Sequence, residues 1–246
     1  MNAILLAGGY GTRLYPLTQG RPKALLPVGG RPILEHLTAR LEAAPGIERM
    51  FLVSNHRFAG QFREWAAGRA RGKPLRVLDD GSTCNDDRLG AVGDLRFVLE
   101  EAGVAGQPAY VLATDNLPRF DLRDIIALHG QKGACAVFAC RMADRGELKR
   151  MGVAELDAEG RIVSFEEKPQ EPRGDLRVPP FYVYTAEAVR SVVAYLTEGG
   201  NPDAPGHFLA WLVGRQDVYA ARRDEGTYDV GTLESYRAVC REFEQS

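Results

Sequence analysis

The first readable pattern in the chain is a continuous apolar run, Ala3-Ile4-Leu5-Leu6-Ala7, long enough for one buried strand and too short for a helix. Apolar positions at helical spacing over 32–41 predict a helix. Met50-Phe51-Leu52-Val53-Ser54 reads as a second strand, 61–71 as another helix and Leu75-Arg76-Val77-Leu78 as a third strand. A polar loop over 79–88 leads into a helix ending near Ala102. Strands are predicted over 109–113 and 134–141, and the charged stretch 142–151 is a loop or short helix. Met151 to Leu156 and Arg161 to Phe165, separated by Asp157-Ala158-Glu159-Gly160, carry a hairpin signal. A helix over 208–213, a strand over 218–221 and a closing helix from Thr232 to about Phe243 complete the pattern. Early strand–helix alternation of this kind signals a parallel sheet with helices on both faces.

Composition narrows the classes. The 246 residues carry a formal charge of −2, which gives no electrostatic footprint for nucleic acid or an anionic membrane. No apolar run is long enough to span a bilayer. Met1 leads into a strand with no basic segment or cleavage site, so no secretory signal is expected. Cys84, Cys135, Cys140 and Cys240 show no metal-ligand spacing, and reduced thiols in a cytoplasmic protein fit them best. There is no internal repeat and no low-complexity linker. Residues 1–246 are therefore read as one domain.

The candidate chemistry starts where the first strand ends. Gly8, Gly9 and Gly11, followed by Thr12 and Arg13, can turn bare backbone amides toward an anion because no Cβ intervenes. Lys23, with Pro22 restricting the backbone before it, supplies a second cation. This is a cradle for a triphosphate. It is not a dinucleotide fingerprint, since Leu14 stands where a further glycine would be needed, and no Gly-Lys-Ser/Thr follows as in a Walker loop. Asp115 comes just past the end of the predicted strand 109–113, at the edge where open α/β sheets bind ligands. Mg²⁺ suits such a site, because it takes a few carboxylates and otherwise phosphate and water oxygens. Glu167 and Lys168 at the end of the hairpin pair one group for hydroxyls with one for a phosphate.

Gly8-Gly9-Tyr10-Gly11-Thr12-Arg13-Leu14-Tyr15-Pro16-Leu17-Thr18, with Pro22-Lys23-Ala24-Leu25-Leu26-Pro27-Val28, closely resembles the signature of the sugar-1-phosphate nucleotidylyltransferases, among them the glucose-1-phosphate thymidylyltransferases and mannose-1-phosphate guanylyltransferases. The later segments match in the same order over nearly the whole chain. The resemblance implies an α/β fold with a Rossmann-like mixed, mostly parallel sheet, of the nucleotide-diphospho-sugar transferase type. It implies a single nucleotidyltransferase catalytic domain, with a nucleotide-binding part over about 1–115 and a sugar-phosphate-binding part over about 116–246. Its implied substrates are an NTP and a sugar 1-phosphate and its implied cofactor is Mg²⁺; a homo-oligomer is compatible with the sequence, which does not fix the state.

Residue by residue, the match assigns Arg13 and Lys23 to catalysis and Leu6, Ala7, Gly8, Gly9, Gly11, Thr12 and Gly90 to the nucleotide. It assigns Gly152, Glu167 and Lys168 to the sugar phosphate, and Asp115 and Asp229 to the metal. Asp229 lies in Asp229-Val230-Gly231-Thr232, which resembles the family's D-x-G-T. The departures are equally specific. Thr114 replaces a glycine before Asp115. Val92 and Asp94 depart from the L-G-T-A-G-A pattern, whose backbone faces the base, so the base is left open. Val178-Pro179-Pro180 stands where a small polar residue and a glycine usually precede an apolar strand, which alters the sugar slot and keeps phosphocholine-like or inositol-phosphate-like acceptors open. A non-catalytic nucleotide-sugar-sensing subunit is the alternative from another class.

Overall fold

The computed structural model describes residues 1–69 and 72–244, and of Asp229 the backbone only. Strand β1 (Asn2–Leu6) is followed by the short hairpin β2 (Pro27–Val28) and β3 (Arg31–Pro32), helix α1 (Ile33–Ala43), β4 (Arg49–Ser54), α2 (His56–Ala67), β5 (Leu75–Asp79) and α3 (Ala91–Glu101). Next come β6 (Ala109–Ala113), β7 (Asn116–Pro118), α4 (Arg123–Lys132), β8 (Cys135–Arg141), α5 (Arg145–Leu148), β9 (Gly152–Leu156), β10 (Ile162–Glu167), β11 (Leu176–Val178) and β12 (Phe181–Tyr184). Helices α6 (Ala186–Thr197) and α7 (Pro205–Val213), strands β13 (Val218–Arg223) and β14 (Thr227–Asp229) and helix α8 (Leu233–Glu244) close the chain.

Ten strands form one mixed sheet in the order β10-β9-β11-β8-β12-β6-β1-β4-β5, with β13 also on β8. Its first half is parallel: β1 lies between β4 and β6, and β5 flanks β4. Fully buried strands of this sort read as unbroken apolar runs, as β1 does. Alternate residues feed two cores. Ile4, Leu6 and Val111 face α3, α6 and α7, while Ala3, Leu5 and Leu112 face α1, α2, α4 and α8. Truncating Leu5 to alanine would cost about 2–5 kcal/mol.

The second half is antiparallel and carries the departure seen in the sequence. β11 and β12 run together along one edge of β8, but the six residues Arg177 to Tyr182 oppose the four from Cys140 to Val137. Pro179 and Pro180 fall in this bulge, the place where a strand tolerates missing N–H donors. There the other edge changes partner, from β9 (Val178 opposite Gly152) to β6 (Phe181 opposite Leu112). The sheet forks just beyond the end of β6.

Several boundaries differ from the sequence reading. The helix expected over 61–71 starts at His56, because the Asn55 side chain accepts from Phe58 N and caps it; it ends at Ala67, and residues 70 and 71 lie outside the described residues. α7 starts at Pro205, a proline in the first turn having no N–H to waste. Helices α4 and α6 were not anticipated. Among the described residues no helix is long and apolar enough to cross a membrane, and the four cysteines are free thiols.

Candidate functional site

The glycine loop leaves β1 at Leu6, whose carbonyl accepts from both the amide and the hydroxyl of Thr114, at 3.2 and 2.9 Å. Thr114, in place of the expected glycine, thus ties the ends of β1 and β6 together. Gly8 O accepts from Asn55 Nδ2 at 2.9 Å, so the residue that caps α2 also anchors the loop. Gly11 turns at φ +62, and Thr18 Oγ1 donates to its carbonyl at 2.7 Å. Among the described residues no acceptor takes the amides of Gly8 through Arg13. A Cβ on Gly9 would meet nothing within 4 Å. Unpaired N–H groups with open space before them make an anion-binding concavity.

The loop walls a cavity of about 440 Å³, lined also by Lys23, Gly90, Asp94, Thr114, Asp115 and Gly231. Every residue the sequence reading assigned to the nucleotide, Leu6, Ala7, Gly8, Gly9, Gly11, Thr12 and Gly90, lines it, as do Arg13 and Lys23. Gly90, however, has its open side filled. At φ +78 its missing Cβ would sit 2.5 Å from Pro202 O, and Pro202 and Asp203 carbonyls accept from Val92 N and Ala91 N at 2.9 and 3.2 Å. The 202–203 loop therefore caps α3. Arg88 Nη2 to Asp203 Oδ1, at 2.7 Å, adds an ion pair to the same contact, and both residues line the cavity.

A second cavity of about 660 Å³ lies beyond the fork in the sheet, lined by Gly152, Glu167, Lys168, Arg177 and Pro179–Pro180 among others. Glu167 is clamped between glycines. A Cβ on Gly152 would fall 2.5 Å from Phe165 Cζ and 3.1 Å from Glu167 Oε2, and a Cβ on Gly206 would overlap Glu167 Oε2. Burial raises the Glu167 carboxyl pKa, against the lowering effect of Lys168, whose Nζ is 3.9 Å away. Lys168 stands at φ +52, the one non-glycine residue so placed among those described, its amide held by Met151 O at 3.0 Å. His207 is kept below its ordinary pKa by burial and by Lys168.

Arg13 and Asp115 line both cavities, which makes them the junction. Arg13 is exposed and makes no ion pair among the described residues. Asp115 Oδ2 pairs with Lys23 Nζ at 3.0 Å, and Asn116 Nδ2 donates to Oδ1 at 2.7 Å. Burial raises the Asp115 pKa, but the Lys23 charge and these hydrogen bonds outweigh it and hold the carboxyl ionised. β14 pairs with β7 so that Asp229 lies opposite Asn116, and Val230 N donates to Asp115 O at 3.2 Å. The Asp229 side chain lies outside what the structure describes. Its chain neighbours Gly231 and Thr232 line the first and the second cavity respectively. Gly206, Asp94, Arg88, Asp203 and Arg177 were missed as site residues. Only Asp94 carried a signal, as a charge where a small apolar residue was expected.

The family model described as "Nucleotidyl transferase" matches residues 2–246, and the chain belongs to that family. Its curated relatives are sugar-1-phosphate nucleotidylyltransferases. A glucose-1-phosphate thymidylyltransferase of Actinoplanes sp. is 33% identical over 199 residues, 78% of this chain and 60% of that one. A glucose-1-phosphate adenylyltransferase of Thermotoga neapolitana is 31% identical over 250 residues (95% and 58%), and a mannose-1-phosphate guanylyltransferase of Mycobacterium tuberculosis is 29% identical over 242 (96% and 62%). The chain spans about three fifths of the length of these relatives. Among solved structures, a UDP-glucose pyrophosphorylase complexed with UDP-glucose superposes with a TM-score of 0.82 at 20% identity, covering 99% of this chain and 98% of that one. A UTP-bound UGPase from Acinetobacter baumannii gives 0.79 at 19% (98% and 92%). The fold is thus the nucleotide-diphospho-sugar transferase fold.

Proposed function

We propose that the chain joins an NTP to a sugar 1-phosphate, giving an NDP-sugar and pyrophosphate. The observation that carries this reading is the junction: two cavities, one walled by bare amides and one by a clamped carboxylate and a lysine, share only a few residues, Arg13 and Asp115 among them. A phosphate dianion is already a nucleophile, so the obstacle is repulsion between two polyanions rather than activation. A phosphate oxygen of the acceptor attacks the α-phosphorus, a P–O bond forms, and the α–β bridging bond breaks to release pyrophosphate. In this reading the Gly8–Thr12 amides and Arg13 hold the triphosphate and the departing charge. Lys23 lies between the two phosphates, Glu167 takes acceptor hydroxyls, and Lys168 takes the acceptor phosphate. Catalysis is then positioning and charge neutralisation.

The donor set suits Mg²⁺. Asp115 is ionised, about a third exposed toward the cavities, and next to the strand that carries Asp229. Mg²⁺ needs only one or two carboxylates when phosphates supply the rest. Asp115 and Asp229 would hold it, and it would neutralise phosphate charge. We keep the nucleotide part at about 1–115 and the acceptor part at 116–246, although Asp203, Pro205 and Gly231 line the first cavity and Arg13, Ala113 and Asp115 line the second. A cytoplasmic setting fits the free thiols.

Pro179 and Pro180 in the acceptor wall support a second reading, with a phosphorylated acceptor other than a hexose. A pyrophosphate-release assay crossing five nucleotides with a panel of sugar 1-phosphates, with and without Mg²⁺, tests both. Release with one sugar phosphate supports the first reading; release only with phosphocholine or inositol phosphate supports the second. Silence in folded protein that binds an NTP overturns the transferase reading.

A further inference from the structure

The carboxylate at the junction is held on both oxygens, and one of its holders is itself held. Lys23 Nζ donates to Asp115 Oδ2 at 3.0 Å and Asn116 Nδ2 to Asp115 Oδ1 at 2.7 Å. At its other end Asn116 Oδ1 accepts from Thr227 Oγ1 at 3.2 Å. Turning that amide over would set its oxygen against the Asp115 carboxylate, so the carboxylate demands this orientation and the threonine hydroxyl locks it. The lock comes from tertiary pairing. β7 and β14 form a two-stranded ribbon apart from the main sheet, with Thr227 opposite Pro118 and Asp229 opposite Asn116. Two strands alone make a marginal structure, and this ribbon is tied at several points. Val230 N donates to Asp115 O at 3.2 Å and Arg119 N to Gly226 O at 3.1 Å. Arg177, 6% exposed on β11 in the acceptor wall, donates from Nη2 to Thr227 O at 3.4 Å, and a Cβ on Gly226 would overlap that nitrogen.

We infer that Asn116, keyed by Thr227, is a positioning residue: the pair holds the Asp115 carboxylate so that it receives a divalent cation together with the triphosphate. The step rests on the reading above, in which Asp115 helps to hold Mg²⁺. A carboxylate oxygen that accepts one hydrogen bond still has a lone pair for a cation, and its partners fix where that lone pair points. Polar partners behind a metal-binding side chain are typically worth about ten- to a hundredfold in metal affinity. Asn116 suits the task because a neutral amide steadies the carboxylate without opposing its charge, which Lys23 does. Without the Thr227 hydroxyl the amide is free to turn, and Asp115 closes onto Lys23, the pair that an arriving cation has to loosen. The same device ties the cavities together. Arg177 grips the ribbon from the acceptor wall, and Asp115 lines both cavities.

Calorimetry tests this with whichever of GTP, ATP, CTP, UTP and dTTP binds most tightly, titrated into the intact chain and its variants in Mg²⁺ and in EDTA. The readout is the factor by which Mg²⁺ tightens nucleotide binding. Thr227→Val removes the hydroxyl and keeps the shape. It should lower that factor about five- to tenfold, the worth of one hydrogen bond, while binding in EDTA stays within about twofold. Asn116→Leu should lower it about tenfold or more. Thr227→Ser, which keeps the hydroxyl, should stay within about twofold of the unaltered chain. A full Mg²⁺ effect in both Thr227→Val and Asn116→Leu overturns the inference. So does a loss in Thr227→Ser as large as in Thr227→Val, or an equal loss in Mg²⁺ and in EDTA. No Mg²⁺ effect in the unaltered chain removes the metal from Asp115 and the inference with it. The expected losses without pyrophosphate release from any acceptor would sink the transferase reading and keep Asn116 and Thr227 in their roles.

Discussion

In the proposed reading the two cavities solve the same problem, holding a phosphate ester, with opposite materials. One wall of the first cavity is a contiguous loop, Leu6 to Leu14, whose bare amides would do the holding in that reading, with Lys23 and Arg13 as side-chain additions. The acceptor cavity is assembled from side chains on β9, β10, β11, α7 and α8, and its central carboxylate is fixed by two glycines more than fifty residues apart, Gly152 and Gly206. Backbone binding is indifferent to side-chain identity and depends on a local conformation, so it leaves a contiguous signature. Side-chain binding depends on tertiary assembly, and its parts are scattered. The difference predicts where each cavity is fragile.

The largest effect belongs to the junction. Arg13→Ala should lower kcat by about 10²–10³, in the range of losing one preorganised donor to developing charge. Arg13 is exposed, so thermal unfolding should move by less than about 2 °C. Unchanged turnover would remove Arg13 from the chemistry and separate the cavities functionally. Next comes the clamp. In Gly206→Ala the new Cβ would overlap Glu167 Oε2 and swing the carboxylate away. KM for the sugar 1-phosphate should rise about tenfold or more while KM for the NTP stays within about twofold, as read from steady-state kinetics. Equal shifts in both constants would break the division into two cavities.

That division explains what the sequence revealed. Leu6 to Thr12 could be proposed from one stretch because the loop is local, whereas Gly90 came from the segment that opens α3; all of them line one cavity. Gly152, Glu167 and Lys168 were also legible, since a hairpin keeps its ends together. Gly206 was not, because its role depends on α7 packing against β10, forty residues away in sequence. Arg177 was hidden for the same reason, on a strand whose bulge shows only once β8, β9 and β6 are paired. Asn55 shows a third case: as a helix cap it marks the start of α2, but that it also holds Gly8 O is a tertiary fact.

Within the loop, neighbouring glycines should respond differently. Gly9→Ala places a methyl in open space on the cavity side, so folding should be unaffected and KM for the NTP should rise about three- to tenfold. Gly8→Ala drives a methyl into Asp94 and should cost about 1–3 kcal/mol of stability, visible as a lower denaturation midpoint. If Gly9→Ala were the less stable of the two, the open face would be wrongly assigned.

The last comparison sets the buried acids of the two cavities against each other. Glu167 and Asp94 both have raised pKa values, but Glu167 has Lys168 to relieve it, whereas Asp94 faces another acid, Asp80. Asp94 titrates near 8 when folded and near 3.8 when unfolded. Between those values the folded chain keeps a proton that the unfolded chain gives up. Its stabilising contribution is therefore complete below about pH 4 and drains away as pH rises toward 8. The slope is at most about 1.4 kcal/mol per pH unit, shared with Asp80. Asp94→Asn cannot ionise there, so its melting temperature should fall less than that of the unaltered chain between pH 5 and pH 8. The gap between the two curves should thus change in the variant's favour as pH rises. Parallel curves would mean that Asp94 does not hold its proton at neutral pH, and would leave the two buried acids alike.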